Sequence, residues 1–306
     1  MALRRPLAVF VSHVTLLLAC AHGTPVGTAE VTAATLRTPF DASHIVAQTG
    51  GEPEIAGSVI QVTFLREDVS VDVDGWKRVP GQAGLVSWFA FAPSDQPNVE
   101  ATVSGDLALF EDEVDATLGV ALDHGLDVTA LEARYFFDSP AVRFMHVSGE
   151  GTVDSLAQAV RATLDAPREV RKRSPHPKSQ IFGANVPTST RVDPVKLDAI
   201  LGVRGTQAGG TYRATLARAT MGQGSWTSFA GTNGDAVATG DFVVTENALQ
   251  PVLRALHRDS VYVTSIHTDT SPGPARRWVV TYWGRGVATS LAATLKHTAT
   301  VMLQPP

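Results

Sequence analysis

Gly105–Asp106–Leu107–Ala108–Leu109–Phe110–Glu111 and Gly240–Asp241–Phe242–Val243–Val244–Thr245–Glu246 are one stretch written twice, 135 residues apart. The same shift carries Val128–Thr129 onto Val263–Thr264, Gly149–Glu150–Gly151 onto Gly284–Arg285–Gly286, and Ser155–Leu156–Ala157 onto Ser290–Leu291–Ala292, with no gap. Upstream the shift becomes 138, laying Ser87–Trp88–Phe89–Ala90–Phe91–Ala92 over Ser225–Trp226–Thr227–Ser228–Phe229–Ala230. Farther back it becomes 152, laying Ala56–Gly57 over Ala208–Gly209. The step from 152 to 138 gives the first copy 14 extra residues, expected as an elaborated hairpin around Asp72–Trp76. A repeat of this length is a domain and not a solenoid unit.

The pattern inside each copy sets the fold class. In the second, Asp193–Pro194 starts a short helix that ends at Gly202, with proline at the first helical position. Strands are expected near 211–219, 225–230 and 236–244. Thr245 caps a helix whose Leu249, Val252, Leu253 and Leu256 form one apolar stripe. Two further strands, 261–268 and 276–283, flank a turn at Pro272–Gly273–Pro274, and a last helix starts near Val287. The first copy ends likewise, with Val153, Leu156, Ala157, Val160 and Leu164 on one helical face. Hairpin-joined strands interrupted by amphipathic helices predict an α+β fold: two tandem copies of a small domain, each an antiparallel sheet with helices on one face.

The N-terminus reads as an export signal over residues 1–20. Arg4–Arg5 precede an apolar core, Leu7 to Leu18, too short to span a membrane. It ends in Leu17–Leu18–Ala19–Cys20, which resembles a bacterial lipobox, and Cys20 is the only cysteine. With a single cysteine the chain has no internal disulfide, no spare thiolate nucleophile and no cysteine-based metal site. Residues 21–37 are small and polar and read as a flexible tether. The copies are expected over 38–165 and 193–302, joined by a proline-rich, basic linker over 166–192. Its basic run could touch anionic lipid head groups; a solvated linker is favoured, because the run is short and broken by proline. Loss of the leader leaves 23 basic against 30 acidic residues, a net charge of −7. That balance argues against nucleic acid as a partner.

The string Asp241–Phe242–Val243–Val244–Thr245–Glu246–Asn247, then Leu253–Arg254–Ala255–Leu256, Val263–Thr264–Ser265–Ile266–His267 and Tyr282–Trp283–Gly284, resembles the LppY/LpqO lipoprotein family. The first copy resembles it through Gly105–Asp106–Leu107, Val128–Thr129–Ala130–Leu131 and Phe144–Met145–His146. The resemblance implies a domain of unknown function whose pattern places a His-Asn-His segment on one strand and a further His on the next. Here the second copy keeps His267, with Asp269 and Thr281 at the other two places; the first keeps only His146, with Glu132 and Arg134 on the preceding strand. Neither copy holds three histidines, so no tight zinc site and no cofactor is expected, and His267 with Asp269 is the weak metal candidate.

Glu132, Arg134, His146, His267 and Asp269 form the candidate polar site, either an ion cluster or an anion-binding group built on Arg134. Trp88 and Trp226 recur and are expected in the core, although a sugar-stacking role is conceivable. Asp106 and Asp241, each following a glycine, are expected as turn residues that bond their own backbone. Glu111 and Glu246 suit the first turn of a helix, and His124, His257 and His297 suit surface positions near helix ends. No phosphate loop, nucleophile elbow or HExxH motif occurs. The reading leans away from an enzyme, toward an envelope lipoprotein that binds a small molecule or protein in a cleft between the copies. A metal-assisted hydrolase with a degenerate site and a purely structural envelope component are the alternatives.

Cys20→Ser should release the protein from the membrane fraction. Retention equal to that of the parent, measured by fractionation, would refute anchoring through this residue.

Overall fold

The computed structural model describes residues 39–79, 81, 84–182, 191–208, 210–218, 224–270 and 276–304. The export signal, Cys20, the tether, residues 183–190 of the linker and the turn at Pro272–Pro274 lie outside the described residues. In the first copy Asp41 caps α1 (Ala42–Thr49) by accepting from the Ser43 N–H at 2.9 Å. Then follow β1 (Glu52–Ala56), β2 (Val59–Leu65), β3 (Asp72–Val73), β4 (Val86–Pro93), β5 (Ala101–Phe110), α2 (Glu111–Asp123), β6 (Asp127–Glu132), β7 (Asp138–Ser139), β8 (Val142–Gly151) and α3 (Val153–Arg173). The second copy gives α4 (Pro194–Leu201), β9 (Thr206–Ala208), β10 (Thr211–Ala217), β11 (Ser225–Gly231), β12 (Ala236–Thr245), α5 (Glu246–Arg258), β13 (Tyr262–Asp269), β14 (Arg277–Gly286) and α6 (Ala288–Met302).

The copies do not keep separate sheets. Twelve strands run in one antiparallel sheet, in the order β1-β2-β4-β5-β8-β6-β13-β14-β12-β11-β10-β9. The reason is that β6 and β13 are the edge strands of their copies, and each would otherwise leave a row of unpaired backbone groups. They pair with each other instead, Leu131 opposite Ile266. These two residues are themselves equivalent at the 135-residue shift, so an approximate two-fold axis passes through their pair. Both side chains point to the helical face and are 1% exposed.

The internal register of the two copies is the same. Trp88 pairs with Asp106, Asp106 with His146 and His146 with Ala130; Trp226 pairs with Asp241, Asp241 with Thr281 and Thr281 with Ser265. Each copy has a bulge at the equivalent residue, between Val128 and Ala130 and between Val263 and Ser265. The bulged threonine closes the same bond in both: Thr129 donates to the His146 carbonyl at 3.3 Å and Thr264 to the Thr281 carbonyl at 3.2 Å.

The 14 extra residues turn back tightly at Asp74–Gly75, as expected: both central residues have positive φ, and Val73 and Trp76 exchange backbone hydrogen bonds at 3.0 and 2.8 Å. They cross the helix-free face of the first copy, and β3 pairs with β7 in a separate two-stranded sheet. Val71 and Leu85 pack there on Ala108, Phe110, Val142 and Phe144, forming a second hydrophobic cluster. A buried ionic knot holds this covering in place. Glu113, fully buried at the start of α2, pairs with Arg66 at 2.5 Å and Arg171 at 2.8 Å, while Arg171 also bonds Asp112. That knot explains why the expected linker is helical over its first eight residues. Arg171 anchors α3 through Arg173, and Pro167 is accommodated inside the helix although it removes a backbone donor.

Across the seam α2 packs on α5 unequally. Gln250 bonds both the N–H and the C=O of Val128, and Arg254 donates to the Leu122 carbonyl. The His257 ring lies over Gly119, where a Cβ would come within 2.3 Å of Nε2, so any larger residue there would push the ring aside. His257, expected as a surface residue, therefore belongs to the seam, its Nδ1 3.0 Å from Asp115.

Hydrogen bonding to Asp115 raises the His257 pKa above the usual imidazole value, against the lowering effect of burial. A raised folded-state pKa means the contact stabilises fully below the unfolded-state value and its contribution is lost as pH rises through the folded-state value. Denaturant unfolding between about pH 6 and about pH 8 should show this loss, and Asp115→Asn should flatten it. An unaltered pH dependence in that variant would refute the assignment.

Candidate functional site

The row Trp88, Asp106, His146, Ala130 lies on the helix-free face, because directly opposed residues of an antiparallel sheet share a face. Glu132 is two residues on from Ala130 and joins them. Arg134, just beyond the end of β6, turns back and donates from Nη2 to Asp106 Oδ2 at 2.6 Å. Its guanidinium stacks 3.6 Å from the centre of the Phe144 ring. His146 Nε2 sits 3.8 Å from Asp106 Oδ1 and 3.5 Å from Glu132 Oε1. So Glu132, Arg134 and His146 come together as expected, around a fourth group that the sequence reading had placed elsewhere.

That fourth group is Asp106. It is 2% exposed and in mid-strand, not in a turn. Asp241 likewise lies within β12, where Trp226 Nε1 and Thr281 Oγ1 each donate to it at 2.8 Å. The available signal was positional: the aspartates recur at one place in both copies and fall in phase with their outward neighbours. The two tryptophans differ from expectation as well. Trp88 and Trp226 are half-buried on the helix-free face, while Phe89, Phe91 and Phe229 fill the core. Arg213 stacks on Trp226 at 3.6 Å.

His267 and Asp269 share this face. Asp269 bonds Arg277, its cross-strand neighbour, at 2.8 Å. His267 is exposed. The Leu131–Ile266 register puts it diagonally across the seam from Glu132. Among the described residues no three His, Cys, Asp or Glu side chains are grouped to hold a metal ion. Chemically, Arg134 supplies the positive charge beside Asp106 that a cation would otherwise supply.

A second feature lies at the seam itself. Beyond the end of β6 the first residues of β13 have no neighbouring strand, and a cavity of about 490 Å³ opens there. Val114 and Asp115 of α2 form one wall, Tyr262, Val263 and Thr264 another, and Ile181 and Phe182 of the connecting segment a third. Phe182 meets Tyr262 edge-on at 5.5 Å, and burial raises the Tyr262 pKa. Arg143 and Lys178 bring positive charge to the lining, where Arg143 is paired with Glu111.

With this geometry in view, the chain belongs to the family described as Domain of Unknown Function (DUF1259), whose model matches residues 43–166 and 195–301. The two matched segments are the two copies. No curated protein is similar to the chain. A solved structure of a trimeric bacterial microcompartment shell protein, PduB, is 12% identical over 81% of this chain and 88% of that one. Its TM-score of 0.22 is too low to support any argument from the likeness.

Arg134→Met should leave the Asp106 carboxylate buried without its donor and cost about 1–3 kcal/mol, the lower part of that range if water enters beside the partly exposed arginine. Adding Asp106→Asn should recover part of the loss. Urea unfolding of both variants checks this; a double variant less stable than Arg134→Met would refute the pairing as the source.

Proposed function

We propose that this protein is an exported bacterial lipoprotein of the LppY/LpqO type, held at the cell envelope through Cys20, that binds a ligand without transforming it. The binding site is the cavity at the seam. One observation carries the reading: both copies and the segment that joins them each contribute a wall to that cavity. Its size and its mix of apolar walls with a few polar groups suit a small molecule or a short peptide segment. Envelope attachment rests on the residue 4–20 pattern. The alternative of a metal-assisted hydrolase is weaker, because arginine side chains already engage Asp106 and Asp269.

The full chain in detergent micelles should be stabilised against heat by at least one component of an envelope extract, as any ligand of the folded state requires. Replacing Ile181 by Asp, on an exposed part of the cavity wall, should abolish that shift without lowering the melting temperature of the unliganded protein. Substrate turnover that disappears in His146→Ala or His267→Ala would overturn the reading and promote the hydrolase. Stabilisation only by an intact envelope protein would favour the structural role.

A further inference from the structure

Val128 and Val263 hold the same place in the two copies. Each faces its partner, Val147 or Tyr282, immediately before the shared bulge. Antiparallel pairs alternate between those that exchange hydrogen bonds and those whose N–H and C=O point the other way. Val128 is of the second kind, since its N–H donates to Gln250 Oε1 at 3.0 Å and its C=O accepts from Gln250 Nε2 at 3.0 Å. The equal register makes Val263 the second kind too. A carboxamide from the opposite copy thus satisfies one member of a symmetric pair of backbone sites.

At the other member the residue equivalent to Gln250 is Asp115. A carboxylate carries no donor for the Val263 carbonyl. Asp115 is instead engaged with His257, across the seam. Among the described residues no side chain or loop backbone takes the role of Gln250 at Val263. Val263 lies in the wall of the seam cavity, with Tyr262, Phe182 and Trp283 near it. The first copy's site is filled from within the chain; the second copy's site is a cavity.

We infer that the seam cavity recognises a primary carboxamide, which docks on the N–H and C=O of Val263 as Gln250 docks on Val128. This rests on the seam cavity being the ligand site and adds the chemistry of the ligand. A primary carboxamide presents a donor and an acceptor on one side. A carboxylate lacks the donor, and a trans secondary amide turns its N–H away from its carbonyl. The aromatic side chains beside Val263 offer a surface for a flat apolar body attached to the carboxamide.

The test uses the full chain, isotope-labelled in detergent micelles, with benzamide, benzoate and N-methylbenzamide as probes and the Val263 backbone amide as the NMR reporter. Benzamide should shift that resonance, and the other two should bind about tenfold more weakly, because each leaves one backbone group unmet. Asp115→Gln, which places the second copy's residue in the first, should abolish benzamide binding by filling the site. Asp115→Ala also loses the His257 contact but cannot reach Val263, so it should still bind. Equal binding of the three probes, or equal loss in both Asp115 variants, would overturn carboxamide recognition while leaving the cavity a ligand site. Benzamide that leaves Val263 unmoved overturns it too, and the envelope-extract measurement then decides separately whether the cavity binds anything.

Discussion

The pairing of Leu131 with Ile266 is the contact on which the rest of the molecule depends. It joins two six-stranded halves into one sheet and fixes the approximate two-fold axis between them. It also decides which surfaces face each other. Because β6 ends while β13 runs on, the seam leaves a gap at one end, and the seam cavity is that gap. A one-residue slip of either strand would turn its own Glu132 or His267 toward the helical core and bring its Leu131 or Ile266 out to water. Burial of a charged or polar group without a partner would oppose such a slip.

The two copies share a backbone and differ in what they place on it. The first carries the carboxylates at most 2% exposed, Asp106 with Arg134 and Glu113 with Arg66 and Arg171. The equivalent of Glu113 is Ala248, and the equivalent of His146 is Thr281. The first copy also carries the added segment that covers its helix-free face, which lets Phe110 and Phe144 be buried where an uncovered sheet would carry polar residues. Burial on both faces changes the electrostatics of Asp106. Its carboxylate is out of water beside the Arg134 guanidinium, whereas Asp241 accepts from an indole and a hydroxyl.

Much of this was legible from residue order. The gap-free shift foretold the equal register, because any insertion within a strand would have broken the count; the bulges at Thr129 and Thr264 fall at equivalent places but were not legible. Element ends in the second copy fall within a few residues of their expected places, as at α5 with Thr245 at its cap position. What was not legible depended on long-range contact. Joining of the sheets requires one strand edge to find another, and no local pattern encodes that. Asp106 was assigned to a turn because Gly-Asp is a common turn pair; the sheet on either side of it outweighed that local preference. The helical start of the linker was hidden by Pro167, whose cost is offset by the Arg171 knot far away in sequence. His257 was assigned to the surface because Asp115 lies 142 residues away.

Fusion of the halves also changes how the molecule meets others of its kind. Two separate six-stranded sheets would expose four strand edges, each a template for unwanted association; one sheet exposes two. Those two are poor templates. β1 carries Glu52, Pro53 and Glu54, so a second copy approaching it would meet like charge and a missing backbone donor. β9, at the far end, is only three residues long. Among the described residues, neither end of the sheet offers a long uncharged edge through which such chains could polymerise.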